Sequence, residues 1–250
     1  GDIPLADEKS GSIAVFENQN NLMSETFRNV RTNLQFMLEN GKNVILVTST
    51  ISGEGKSFVS SNLAISLSLL GKKVVIVGLD IRKPGLNKVF NLSRKEQGIT
   101  QFLTNPAVNL MDLVQPSDIN KNLFILPGGA VPPNPTELLA RDGLEKAIET
   151  LKANFDYVIL DTAPVGRTAD LSVYVCRADY TRKAEFTLIN ELMENNKLPN
   201  LCIAINGLDL QKKKYGYYYG YGKYGKYYGY GKRYGYGYGY GEKHTSREGK

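Results

Sequence analysis

Ten consecutive residues, Thr48-Ser49-Thr50-Ile51-Ser52-Gly53-Glu54-Gly55-Lys56-Ser57, have the types and spacing that bind phosphate. They follow the apolar run 44–48 and precede a helical pattern from about Lys56 to Leu70, which closes at Gly71. In that setting the backbone N–H groups of residues 53–57 can wrap an anion, and the helix N-terminus adds its dipole. Lys56 then reaches the outer phosphates and Ser57 can ligate Mg²⁺. The usual phosphate-loop string opens with Gly where Thr50 stands here. The strand–loop–helix setting therefore carries the reading, against a Gly-rich turn of no chemical consequence.

Two carboxylates sit where such a loop needs them. Asp161 ends the apolar run 157–160, which places it at the C-terminal edge of a sheet, where a ligand for Mg²⁺ or its water belongs. Asp80 ends the run 74–79 and is followed by Arg82-Lys83-Pro84. A strand-end Asp can join the site or instead cap a following helix, and both remain open. The one histidine, His244, stands near the C-terminus, so no His-based catalytic or metal constellation exists. Cys176 and Cys202 each lie inside an apolar run. They read as buried strand thiols, not as a disulfide, a metal site or a nucleophile.

The elements that must position these residues are legible from periodicity. Residues 22–39 carry Leu22, Met23, Phe27, Val30, Leu34 and Leu38 at three- and four-residue steps, an amphipathic helix. Apolar runs at 44–48, 74–79, 123–126, 157–160, 171–176 and 201–205 predict strands, and helical patterns cover 134–154 and 182–196. Uniformly apolar strands alternating with helices predict an α/β fold: a mainly parallel sheet with helices on both faces. The expected organisation is an irregular lead-in over 1–20, one α/β domain over 21–210, and a tail over 211–250.

That tail is a different material. Of the 26 residues 215–240, 13 are Tyr and the rest are Gly, Lys or Arg. The segment predicts disorder, because no Val, Ile or Leu is present to build a core. It also holds the charge. Residues 211–250 carry ten Lys/Arg and two Glu, a sum of +8, while the whole chain is at +6, so residues 1–210 sum to −2. A near-neutral body argues against a nucleic-acid surface on the folded domain. Low cysteine use fits a reducing cytoplasm. No apolar run approaches the ~20 residues of a membrane span, and no signal peptide is evident. A first residue that is Gly, not Met, leaves room for a membrane segment upstream.

Together these residues resemble the bacterial tyrosine kinases of the capsular exopolysaccharide family, relatives of the chromosome-partitioning ATPases. Ser52-Gly53-Glu54-Gly55-Lys56-Ser57 is similar to the family's Walker A motif. Leu79-Asp80-Ile81-Arg82-Lys83-Pro84 resembles its additional Walker A′ motif, and Val158-Ile159-Leu160-Asp161-Thr162-Ala163-Pro164 its Walker B motif. The segment Pro132-Pro133-Asn134-Pro135-Thr136-Glu137-Leu138-Leu139 and the tyrosine cluster match in the same order. Glu25, Arg28 and Arg31 resemble the family's oligomerisation motif, although three charged residues on one helix face are also what a solvated stripe looks like.

The resemblance implies a P-loop fold of the partitioning-ATPase type, with ATP and Mg²⁺ as cofactors and protein-tyrosine phosphorylation as the activity. Gly53, Glu54, Gly55, Lys56, Ser57, Phe58 and Asn206 would hold nucleotide. Ser57, Asp80 and Asp161 would hold the metal, and Lys56, Asp80 and Asp161 would be catalytic. The acceptors would be Tyr215, Tyr217, Tyr218, Tyr219, Tyr221, Tyr224, Tyr227, Tyr228, Tyr230, Tyr234, Tyr236, Tyr238 and Tyr240. Implied partners are further copies of the chain in a ring, a membrane activator fused or separate, and a tyrosine phosphatase. The implied place is the cytoplasmic face of the bacterial inner membrane, in control of polysaccharide export.

Two departures stand out. The family's Walker A′ motif shows two Asp flanking one residue, and the first place here is Gly78, leaving Asp80 as its only carboxylate. Residues 162–170 are also few for a connection between parallel strands, which normally takes about a dozen residues and a helix. This spacing predicts about eight to twelve further residues in the natural chain, between Gly166 and Arg167. Two rival functions use the same sequence. One is a partitioning-type ATPase switch that hydrolyses ATP without modifying protein. The other is a non-enzymatic tail that stacks on single-stranded nucleic acid or coheres with itself. The tyrosine cluster speaks against the first and the three nucleotide motifs against the second.

Overall fold

A computed structural model describes residues 1–6, 11–17, 19–39, 41–92, 97–105, 107–133, 138–139, 142–162, 169–195 and 197–210. Strand β1 (Asp2–Pro4) precedes helix α1 (Leu22–Met37), strand β2 (Val44–Ser49), helix α2 (Lys56–Ser68) and strand β3 (Val74–Gly78). Short helices α3 (Gly85–Val89) and α4 (Ile99–Thr104) and a 3₁₀ turn at Leu110–Leu113 lead to β4 (Gln115–Pro116) and β5 (Leu123–Leu126). Then come α5 (Asp142–Asn154), β6 (Tyr157–Asp161), β7 (Leu171–Arg177), α6 (Glu185–Glu194) and β8 (Leu201–Leu208). The strands form one sheet in the order β1-β8-β7-β2-β6-β3-β5-β4. All neighbours are parallel except β4, which is antiparallel at the edge.

Burial on both faces explains why the strands read as continuous apolar runs. Successive residues of a strand point to opposite sides. Val44, Leu46, Val75, Val77, Val158 and Leu160 enter one core with Ile99, Leu144, Ile148 and Leu151. Ile45, Val47, Val74, Ile76 and Ile159 enter the other with Phe27, Val30, Leu34, Val59 and Leu63. Helix α2 lies between the sheet and α1, so Val59–Ser68 is buried throughout. Its serines keep it slim, and Ser68 Oγ donates to the Ile65 carbonyl at 2.9 Å, satisfying its own hydroxyl inside the helix. Helix α1 starts at Asn21, whose side chain accepts from the Ser24 N–H, and it buries Ser24, Phe27, Val30 and Leu34 at helical spacing.

The lead-in is not wholly irregular, which corrects the expectation for residues 1–20. Asp2–Pro4 adds an edge strand on β8, with Asp2 opposite Ile205. Buried Asn62 then holds the segment after it, accepting from the Ala14 and Val15 N–H groups and donating to the Ser12 carbonyl. Three residues carry too little pattern to read as a strand, and their pairing comes from 200 residues away. Of the helix expected over 134–154, Leu138, Leu139 and Asp142–Asn154 are helical, while 134–137 and 140–141 lie outside the described residues. The pattern at 182–196 yields α6 over Glu185–Glu194.

Strands β6 and β7 flank β2 and both run parallel to it, so the two strands on either side of residues 162–170 are parallel. The Gly166–Arg167 junction lies outside the described residues. Among the described residues, no helix is long and apolar enough to cross a membrane. The tyrosine-rich tail is also outside the described residues.

Candidate active site

The C-terminal ends of β2 and β3 and the N-terminus of α2 converge on a cleft of about 680 Å³, and Asp161, at the end of β6, bonds two of its lining residues from the buried side. That volume lies in the usual range for a small-molecule site. Ser52, Gly53, Gly55, Lys56, Ser57 and Phe58 line one side, and Asp80, Arg82, Lys83, Pro84 and Gly85 the other. The loop between β2 and α2 reverses sharply because Gly53 and Gly55 take φ of +98° and +95°, a region open to glycine and strained for other residues. A Cβ on Gly55 would also collide with the Asn206 amide.

Four predicted side chains meet at the centre. Lys56 Nζ lies 2.9 Å from Asp161 Oδ1 and 3.1 Å from Asp80 Oδ2. Ser57 Oγ donates to Asp161 Oδ2 at 2.7 Å. Asp161 is 1% exposed. Burial pushes its carboxyl up, and the Lys56 ammonium and the Ser57 hydroxyl pull it back. Its backbone carbonyl accepts from the N–H groups of Leu79 and Asp80, which ties the ends of β3 and β6 together. Asp80 lines the cleft with one oxygen facing Lys56, and the other accepts from the Lys83 N–H at 3.1 Å in the turn before α3; it does not cap that helix, whose N-cap position is Pro84.

The remaining expectations divide. Phe58 lines the cleft and stacks edge-to-face on Phe27, with ring centroids 5.9 Å apart. Glu54 is fully buried and turns its carboxylate away from the cleft, accepting from the Ile51 N–H at 2.8 Å. Asn206 is not among the residues lining the cleft. Its amide donates to the Glu54 carbonyl at 2.9 Å, so it stands behind the loop. Thr50, in the place of the usual glycine, bonds the Tyr174 hydroxyl at 2.8 Å. Both cysteines are free, and burial lifts each thiol to about 11, which leaves neither as a nucleophile at neutral pH.

Sequence reasoning missed three residues on β7 and the turn after it. Tyr180 Oη donates to the Ser52 carbonyl at 2.9 Å, Arg177 donates to the Gly53 carbonyl at 3.0 Å, and the Thr181 hydroxyl donates to the Glu54 carboxylate. The signal available was a polar string, Arg177 to Thr181, directly after an apolar strand at the same sheet edge.

The predicted Glu25, Arg28 and Arg31 do not act alike. Glu25 and Arg28 are exposed, whereas Arg31 is half-buried and donates to the Ser66 carbonyl at 2.8 Å, bracing α1 on α2. Burial, together with the nearby Arg28 charge, holds the Arg31 guanidinium below its ordinary range. Arg31 Nε and Ser24 Oγ are buried without a hydrogen-bond partner, and both residues line a second cleft of about 620 Å³ with Arg28. Among the described residues no group of three or more His, Cys, Asp or Glu is placed to hold a metal ion.

A family model described as an AAA domain matches residues 42–181. The tyrosine-protein kinase CpsD of Streptococcus agalactiae is 33% identical over 212 residues, covering 79% of this chain and 89% of that protein. The solved kinase domain of the Escherichia coli tyrosine kinase ETK superposes with a TM-score of 0.72 at 26% identity, covering 95% of this chain and 93% of the other. The fold is shared further with the cell division ATPase MinD of Pyrococcus furiosus, at a TM-score of 0.54 and 21% identity, over 66% of this chain and 71% of that one. With a phosphate loop, a Lys56–Asp161 pair and Asp80 gathered at one sheet edge, the chain belongs to the bacterial tyrosine-protein kinases of the capsule family.

Proposed function

We propose that this domain transfers the γ-phosphoryl group of Mg²⁺-ATP to tyrosines of its own C-terminal cluster, presented by a neighbouring copy. The observation that carries the reading is the convergence of Lys56, Ser57, Asp80 and Asp161 beside a glycine-containing loop. Gly55 lets the loop pack closely on Asn206 behind it, and both Gly53 and Gly55 line the cleft, where backbone N–H groups suit an oligophosphate. Ser57 and Asp161, with Asp80 beside them, supply the hard oxygen donors that Mg²⁺ prefers. When bound, the ion supplies charge neutralisation on the phosphate oxygens.

The protein's own residues do the rest. Lys56 turns from its carboxylates toward the β- and γ-phosphates and offsets the charge that develops during transfer. The tyrosine oxygen bonds to the γ-phosphorus as the bond to the ADP oxygen breaks, and the phenol proton passes to Asp80. A phenol of pKa about 10 needs such an acceptor near neutral pH. Asp80 takes this role because Asp161 is buried behind Lys56 and Ser57.

The setting we infer is a ring of copies at the cytoplasmic face of the inner membrane, with a membrane activator and an opposing phosphatase, acting in polysaccharide export. Exposed Glu25 and Arg28, beside the orphaned Nε of Arg31, support an interface on α1. Incubating the full chain with γ-labelled ATP and Mg²⁺ tests the assignment. Label should appear as phosphotyrosine within residues 215–240. Free phosphate without phosphotyrosine would make the protein an ATPase switch instead.

A further inference from the structure

In a trans peptide the carbonyl of one residue and the N–H of the next point in opposite directions. Three consecutive carbonyls of the phosphate loop are each engaged by a different side chain. Ser52 accepts from Tyr180 Oη at 2.9 Å, Gly53 from Arg177 Nη1 at 3.0 Å, and Glu54 from Asn206 Nδ2 at 2.9 Å. These donors lie on β7, the turn after it and β8, on the far side of the loop from the cleft. With the carbonyls drawn that way, the N–H groups that follow them are directed to the opposite side of the loop, and Gly53 and Gly55 line the cleft there, where an anion would meet them.

The donors are themselves fixed. The Arg177 guanidinium stacks over the Tyr180 ring, 5.3 Å from its centroid. The Arg177 N–H donates to the Thr181 hydroxyl at 2.8 Å, and that hydroxyl passes its own proton donation to the buried Glu54 carboxylate. The other Glu54 oxygen accepts from the Ile51 N–H at 2.8 Å, closing the loop on itself. Packing leaves no slack, since a Cβ on Gly53 would lie 3.0 Å from Tyr180 Oη.

We propose that Arg177, Tyr180 and Thr181, acting with Asn206 through Glu54, are positioning residues that clamp the peptide groups of the phosphate loop in their anion-binding orientation. None of them need touch the nucleotide, and their effect is to have the donors aligned before the phosphates arrive. The inference rests on the proposed nucleotide site, and it identifies what holds that site in shape.

The test is titration of the full chain with Mg²⁺-ATP and, separately, with inorganic triphosphate, for wild type, Tyr180→Phe, Thr181→Val and Thr181→Ser. Losing one hydrogen bond to the loop should weaken both ligands by roughly three- to tenfold in Tyr180→Phe and Thr181→Val. Equal losses for the two ligands would locate the effect at the phosphates. Thr181→Ser keeps the hydroxyl and should restore affinity, and the KM for ATP should follow Kd while kcat changes less. The Gly53 and Gly55 amide resonances of the ligand-free protein should move in both weakened variants and not in Thr181→Ser. Unchanged triphosphate affinity in both Tyr180→Phe and Thr181→Val would overturn the clamp while leaving the nucleotide site intact. A wild-type protein that binds neither ATP nor triphosphate would sink the nucleotide site itself, and the clamp with it.

Discussion

Lys56 and Asp161 are joined at 2.9 Å inside the sheet edge, with 11% and 1% of their side chains exposed. The pair is therefore part of the fold as well as part of the site. A buried carboxylate that loses its cation is left uncompensated, at a cost of several kcal/mol. Lys56→Met should thus lower tail phosphotyrosine by about 10²- to 10³-fold and also destabilise the domain by about 3 kcal/mol. Adding Asp161→Asn removes the orphaned charge and should recover much of the stability with none of the activity. Denaturant melts of the single and double variants, alongside a phosphotyrosine assay, separate the two roles. Activity near wild type in Lys56→Met would refute the assignment of this lysine.

Gly78 stands where the family pattern has the first Asp of Walker A′, and the packing gives a reason. A Cβ at this position would lie 3.2 Å from the Gly128 nitrogen and 3.4 Å from Leu86 Cδ1. Gly78 is also directly opposite Asp161 across the β3–β6 ladder, on the same face of the sheet. Gly78→Asp should therefore overpack the strand end and set two carboxylates side by side. We expect a loss of about 1–3 kcal/mol in stability and no gain in autophosphorylation. A variant as stable as wild type and more active would show that this place can still accept the family's carboxylate.

Most of the sheet was legible because parallel strands buried on both faces are dominated by apolar residues, and runs such as 44–48 and 157–160 stand out for that reason. Lys56, Ser57, Asp80 and Asp161 were legible because sheet topology delivers strand ends to one edge. Strand β1 was not, since its stability comes from pairing with β8 and not from its own three residues. The clamp was hidden for a related reason. Arg177, Tyr180 and Thr181 act on backbone carbonyls and a carboxylate more than a hundred positions away, and a hydrogen bond to a carbonyl leaves no trace in the partner's identity. Asn206 was expected on the nucleotide and is found on the Glu54 carbonyl, one step removed.

The α1 charges separate by burial, and so should their variants. Arg31 braces α1 against α2 through the Ser66 carbonyl, so Arg31→Ala should lower the melting temperature of the isolated domain. Glu25 and Arg28 are exposed, and Glu25→Ala with Arg28→Ala should leave melting within about 0.5 kcal/mol of wild type. If these residues bind a neighbouring copy, the double variant should nevertheless be smaller in light scattering and slower to phosphorylate its tail. An unchanged oligomer would return Glu25 and Arg28 to the status of a solvated stripe.

Charge on the tail gives the last expectation. Residues 211–250 carry ten Lys/Arg and two Glu, a formal +8, against −2 for residues 1–210. Each phosphotyrosine adds about −1.5 to −2, so about five modified tyrosines cancel the local charge, and further ones reverse it. If the tail docks at the cleft of a neighbouring copy, where Asp80 is the carboxylate in the lining, an unmodified tail should be attracted and a heavily modified one repelled. Phosphorylation should therefore weaken tail docking in steps and disperse the assembly, most steeply near the fifth modification. Light scattering on fractions resolved by intact mass tests this directly, and the dependence should flatten in high salt, where exposed charges are screened. An assembly that keeps its size with eight or more phosphates per chain would show that the tail's charge does not hold the copies together.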